Sequence, residues 1–143
     1  MKQPSQSSEH LSDALVPAAF VTMAVLNKIG AENNLSLTLI RVLGILWDRR
    51  LRMAELADRL GLKKSTMTGL VSRAEQRGLL ARAPNAEDDR AIDVFLTNEG
   101  AVLVERLRAQ TQRGLGGLTS SLSVSDQRQL ADLLWRMLES PKG

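Results

Sequence analysis

The chain has 143 residues, 43% hydrophobic and 24% charged, the balance of an ordinary soluble protein with one domain or a small domain plus helical extensions. It has no run of about 18 apolar residues that would suggest a membrane span, and with no cysteine it has no disulfide, thiolate zinc site or thiol redox switch. The net charge of +3 is small but unevenly placed: residues 41–90 hold eleven Lys/Arg against seven Asp/Glu, while residues 1–40 are acidic by one and residues 91–143 are neutral. A basic stretch is the footprint of phosphate binding, although a plain solvated face reads the same way.

Residues 1–10, MKQPSQSSEH, are polar, lack the apolar centre of a secretory signal and read as a disordered tail, so the expected location is cytoplasmic. The lone histidine, His10, lies beside this tail, where solvation is the expected role. Leu11, Leu15, Ala18, Ala19, Thr22, Val25, Leu26 and Ile29 recur at helical spacing and predict an amphipathic helix ending near Gly30. A second helix is predicted from the cap Ser36 through Leu39, Ile40, Leu43 and Leu46 to Trp47. A third, short helix spans about Met53 to Leu60, with Leu56, Ala57 and Leu60 inward and Gly61 closing it.

The segment Lys64 to Arg77 reads as a fourth helix, because Met67, Leu70, Val71 and Ala74 share one face and Gly78 stops it. Two short helices joined by a glycine turn make a helix-turn-helix pattern. The period then changes. Leu79 to Arg82 reads as a strand, Pro84 to Asp89 as a turn, and Ile92, Val94 and Leu96 alternate with Ala91, Asp93 and Phe95 as a half-buried second strand. Thr97 is placed to cap a long helix carrying Leu103 and Leu107, with a bend or break expected at Gly114, Gly116 and Gly117. Ser123 caps the last helix, which carries Leu130, Leu133, Leu134, Met137 and Leu138, and Pro141 ends it. Trp47 and Trp135 lie on apolar helical faces, where core packing is expected, Trp47 being also a candidate pocket residue.

The run LKKSTMTGLVSRAEQRGLLARAPNAEDDRAIDVFLTNEG resembles the recognition helix and wing of the MarR family of bacterial regulators. Its most specific part is Asp88-x-Arg90, then a strand ending Leu96-Thr97, then Gly100. LSLTLIRVLGIL and MAELADRLGL resemble the family's second and third helices, and LSVSDQRQLADLL the start of its last, so the likeness covers about residues 11–139. It implies a mainly α fold with a small β-hairpin wing: a winged helix-turn-helix domain at about 36–97, with helical arms at 11–35 and 98–140 interdigitating in a triangular homodimer. It further implies a transcriptional regulator, usually a repressor, that binds double-stranded DNA. Many members release DNA when a small aromatic, phenolic or anionic effector binds between the arms and the winged domain. No cofactor or metal is implied.

On the fourth helix, Ser65, Gly69, Ser72 and Gln76 face away from the apolar stripe, flanked by Thr68 and Arg73. Small hydroxyl side chains let a helix sit deep in a major groove about 12 Å wide, and an arginine there can pair with guanine or clamp a phosphate. Thr66 belongs to the same predicted DNA-binding set, and Lys63, Lys64 and Arg77 are predicted phosphate contacts, with plain solubility charge as the alternative. In the wing, Arg90 suits a narrow minor groove, with Asp88 expected to orient its guanidinium. Gly69 and Asp89 stand where relatives often have basic residues, and Ala74 where leucine is common. Three rival classes fit these residues less well. Catalysis lacks a nucleophile–base set, a phosphate-binding glycine loop or a metal-ligand cluster. A protein-binding winged helix needs an apolar outward face, and single-stranded RNA binding needs aromatic platforms that 3% aromatic content and no tyrosine do not supply.

Overall fold

The structure, a computed structural model, describes residues 6–139. Its elements in order are α1 (Gln6–Asn33), α2 (Leu37–Ile45), β1 (Leu51–Arg52), α3 (Met53–Leu60), α4 (Lys64–Gln76), β2 (Leu80–Pro84), β3 (Ile92–Leu96), α5 (Asn98–Thr119) and α6 (Val124–Glu139). The sheet is antiparallel in the order β1-β3-β2. The helix-turn-helix pair and the wing stand where the sequence pattern put them. β1 leaves no mark in the sequence pattern, since two residues are too short to show a period; it adds Leu51 opposite Val94 and Arg52 opposite Asp93.

One apolar core joins the winged region to the long helices. Val42, Leu43, Leu46, Leu56, Met67, Val71, Leu80 and Val94 are fully buried at its centre, and Ile29, Leu103, Val104 and Leu107 extend it into α1 and α5. Local chemistry sets the helix ends. Ser36 Oγ accepts the Leu39 N–H at 3.1 Å, Thr97 Oγ1 accepts the Gly100 N–H at 3.0 Å, and Ser123 Oγ accepts the Asp126 N–H at 3.1 Å. Gly61 closes α3 with φ +65°, a conformation costly for any residue with a Cβ. After α4, the Gly78 N–H reaches Glu75 O and the Leu79 N–H reaches Ala74 O, a Schellman closure that uses Leu79 and delays β2 to Leu80.

Several expectations are corrected. α1 starts at Gln6, inside the supposed tail, with Glu9 favourably placed in its first turn; residues 1–5 lie outside the described residues, as does Pro141. α1 also runs past Gly30. Its stop is Asn34 at φ +55°, while Gly30 accepts the Leu35 N–H at 2.8 Å and lies so close to Leu35 that a Cβ would collide with that carbonyl. α2 ends at Ile45, short of Trp47. The α5 glycines cause no break: Gly114 packs directly on Val25, and the helix continues through Gly116 and Gly117 to Thr119.

Asp93, expected on the solvated face of its strand, is 7% exposed, and Ile92 is the exposed one. Trp135 is not core within the protomer at 61% exposed, and none of the described α6 residues is buried. Trp47 does pack on the core, with the Arg108 guanidinium 5.5 Å from its ring. Finally, α1 is long and apolar enough to cross a membrane by length and composition, with mean hydropathy 1.6 over its richest window. No uninterrupted apolar run marks it in the sequence, because Thr22, Asn27 and Lys28 break the pattern.

Candidate nucleic-acid interface

α4 presents its apolar stripe, Met67, Val71 and Ala74, to the core and leaves the opposite face outward. Lys63 is its N-cap and Lys64 its first residue; both are exposed, and no acid stands in the first turn. Two cations at the positive end of a helix dipole oppose helix stability, yet together with free N–H groups they form a favourable seat for an anion. Ser65 and Thr66 are exposed beside them, and Gln76 is exposed at the far end. Thr68 is half-buried and its hydroxyl donates to Lys64 O at 2.8 Å, which leaves the oxygen lone pairs as acceptors.

Gly69 and Ser72 are half-buried on the same face. The Arg73 guanidinium folds back along α4, its Nη1 3.6 Å from where a Cβ on Gly69 would stand. That is ordinary van der Waals contact, so a methyl group at 69 would fit beside Arg73. Arg77 is differently employed. Its Nη1 donates to Asn34 O at 2.8 Å and its Nη2 to Asn33 O at 3.4 Å, so it caps the carbonyl end of α1 across the domain. The same corner is tied to α5, because Asn33 Nδ2 donates to Gln110 Oε1 at 3.0 Å and Asn33 Oδ1 accepts from Arg106 at 3.3 Å.

In the wing, Asp88 does not pair with the Arg90 guanidinium as expected. Its Oδ1 accepts the backbone N–H of Arg90 at 3.0 Å, a local turn that shapes the loop. The Arg90 side chain is exposed and takes no part in the ion pairs among the described residues, which join Arg49 to Asp48, Arg50 to Asp93 and Arg82 to Glu75. Asp89 is exposed at the tip.

Between the start of α4 and the wing lies a cleft of about 340 Å³ whose lining includes Arg52, Lys64, Thr68, Arg82, Asp88 and Arg90. It brings Lys64 and Thr68 together with Arg90, residues far apart in sequence. Lys63, Ser65, Thr66, Gly69, Ser72, Arg73, Gln76 and Arg77 do not line this cleft; Arg73 and Arg77 instead border a shallow hollow of about 230 Å³ beside Ser36. Arg52 and Arg82 were missed by sequence reasoning. Arg82 pairs with Glu75 at 2.9 Å, and its strand position was the available signal; Arg52 is visible only once β1 and α3 are placed. Four cations around one cleft beside a helix N-terminus make a surface suited to a polyanion.

Comparison with known proteins agrees with this geometry. A model of the MarR family matches residues 33–91. The HTH-type transcriptional repressor MdtR of Bacillus subtilis (strain 168) is 26% identical over 138 residues, 96% of this chain and 77% of that protein. The organic hydroperoxide resistance transcriptional regulator of the same organism is 33% identical over 97 residues, 67% of this chain and 65% of its own length. Among solved structures, NadR in complex with 4-hydroxyphenylacetate superposes with a TM-score of 0.77 at 23% identity, covering 99% of this chain and 100% of that one. These relatives are transcriptional regulators rather than enzymes. Over nearly its whole length the chain is thus similar to transcriptional regulators of this kind, and its winged helix-turn-helix region matches the MarR family.

Proposed function

We propose that the chain is a cytoplasmic repressor that binds a pseudo-palindromic operator as a homodimer and is released by a small organic effector. The observation that carries the DNA reading is the juxtaposition of the exposed Arg90 side chain with Lys64 and Thr68 of α4 around one cationic cleft. In this reading residues 36–97 form the DNA-binding unit. Ser65, Thr66, Thr68, Gly69, Ser72, Arg73 and Gln76 enter the major groove, Lys63 and Lys64 meet phosphates, and Arg90 enters the flanking minor groove on a loop shaped by Asp88. Arg77 contributes by fixing the end of α4 rather than by touching phosphate.

The helical arms, 11–35 and 98–140, supply the dimer contact. Leu11, Phe20, Trp135 and Leu138 are 55%, 64%, 61% and 72% exposed, apolar side chains on α1 and α6 that a second copy would cover. α1 and α6 also flank an apolar groove of about 570 Å³ lined by Leu11, Leu15, Ala18, Leu130, Leu134 and Met137. A second copy, rather than a bilayer, covers α1, because its last turns carry Ile29 and Gly30, both buried in the protein's own fold.

For the effector, a mostly apolar cavity of about 240 Å³ lies between α2 and α5, lined by Ile40, Leu43, Gly44, Val104, Leu107, Arg108, Thr111 and Gln112. Apolar walls with one cation and two neutral polar groups suit a small aromatic acid or phenol, and the similar fold of NadR is known with 4-hydroxyphenylacetate. Arg108 would hold the carboxylate, leaving its place over Trp47, whose fluorescence would report the event.

The test is genome-wide footprinting with the full chain. Protected sites should be two-fold symmetric with half-sites about 10 bp apart centre to centre. Asymmetric or unspaced protection refutes the dimeric reading.

A further inference from the structure

Asp93 is the buried charged side chain of the core among the described residues, set in the middle strand of the sheet and 7% exposed. A carboxylate in such a place is costly unless its oxygens are satisfied, and both are. Oδ2 accepts from Arg50 Nε at 3.2 Å, and Oδ1 accepts from Asn85 Nδ2 at 2.9 Å. Asn85 in turn uses its own Oδ1 to accept the backbone N–H groups of Glu87 and Asp88 at 2.9 and 3.1 Å. Asp88 then accepts the Arg90 N–H, and the loop is closed by Asn85 N–H to Ala91 O and Ala91 N–H to Asp88 O, both 3.0 Å. The far end is pinned as well, since the Arg50 guanidinium lies 4.4 Å from the Phe95 ring. An unbroken series of bonds therefore runs from the segment after α2, through the sheet, to Arg90, whose side chain is exposed.

We propose that Asp93 and Asn85 are positioning residues for DNA binding, which aim the wing tip so that Arg90 meets the duplex. The inference rests on the proposed reading of the wing as a DNA contact. Stability alone does not account for the arrangement. An apolar side chain at 93 would satisfy the sheet more cheaply than a buried carboxylate, whereas a fully bonded polar set selects a single loop geometry. Asn85 is half-buried, and its side-chain amide is bonded inward to Asp93 and to the loop's own amides.

The experiment is a double-mutant cycle on the full chain. A fluorescent duplex recovered by the unaltered protein from a random library is titrated by anisotropy with the unaltered chain, Asn85→Ala, Arg90→Ala and the double variant, each with its thermal melt. Asn85→Ala is expected to weaken binding about five- to tenfold and to add nothing once Arg90 is gone, a coupling between residues that do not touch. Should Asn85→Ala melt too early to titrate, Asn85→Asp replaces it. That variant keeps the acceptor for the loop amides but sets a carboxylate against Asp93, and the same non-additive loss is expected. Independent, additive losses overturn the positioning role, as does undiminished affinity in a folded Asn85 variant. A silent Arg90→Ala overturns the wing reading itself and the inference with it, an outcome distinct from additivity.

Discussion

Replacing Arg90 with alanine tests the interface through salt rather than through affinity alone. Lys63, Lys64, Arg73 and Arg90 are exposed and outside the ion pairs among the described residues, so each is available to neutralise a phosphate. Each neutralised phosphate contributes about 0.9 to the slope of log affinity against log salt, and these positions doubled in a dimer imply a slope of about −7. Between about 50 and 200 mM salt the affinity should then fall by roughly four decades. Arg90→Ala removes one contact per protomer and should flatten the slope by about 1.8. Arg77→Ala should leave the slope unchanged, because its guanidinium already serves Asn33 and Asn34. Anisotropy titrations of one duplex at five or six salt concentrations measure both. A slope shallower than about −2 for the unaltered chain refutes the cationic interface. A slope insensitive to Arg90→Ala refutes the role assigned to the wing.

Leu134→Glu, which puts a charge into the groove between α1 and α6, should shift sedimentation from about twice 15.7 kDa to 15.7 kDa and weaken DNA binding with it; an unchanged dimer would exclude that surface. Gly44 borders the α2–α5 cavity, and a Cβ there meets nothing within 4 Å. Gly44→Leu should therefore fill the cavity, preserve DNA binding and abolish any mobility-shift response to aromatic acids; a retained response would place the effector elsewhere. Gly116→Ala should raise stability by about 1 kcal/mol, since it sits in open space within a helix. Gly100→Ala should lower the melting temperature, because its Cβ would overlap the Leu79 carbonyl.

The local chemistry of this chain was legible where one residue decides the outcome. Ser36, Thr97 and Ser123 announced their helices because a hydroxyl cap is a short-range event, and Gly61 and Gly78 announced the turns because only φ above zero fits there. What escaped the sequence was set by long-range partners. Asp93 reads as a solvated strand residue until Arg50 and Asn85 arrive from elsewhere to satisfy it. Arg77 reads as a surface cation until the end of α1 lies against it. Gly30 looks like a helix stop, but a close approach to Leu35, not a change of direction, explains its lack of side chain. Trp135 looks like core because its helix has an apolar face, and periodicity cannot say whether the same chain or another covers it.

The bonds from Arg77 to Asn33 and Asn34 also bear on how such a protein can be recombined. A graft that exchanges only residues 36–97 for those of another regulator would cut between a helix and the guanidinium that caps it. The recipient α1 would keep bare carbonyls at its end, and the donor arginine would face a backbone of different shape. The exchangeable unit is therefore longer at its N-terminal edge than the winged domain, and begins no later than Asn33. Because Asn33 is also held by Arg106 and Gln110, a working chimera must carry the matching turn of α5 along with it.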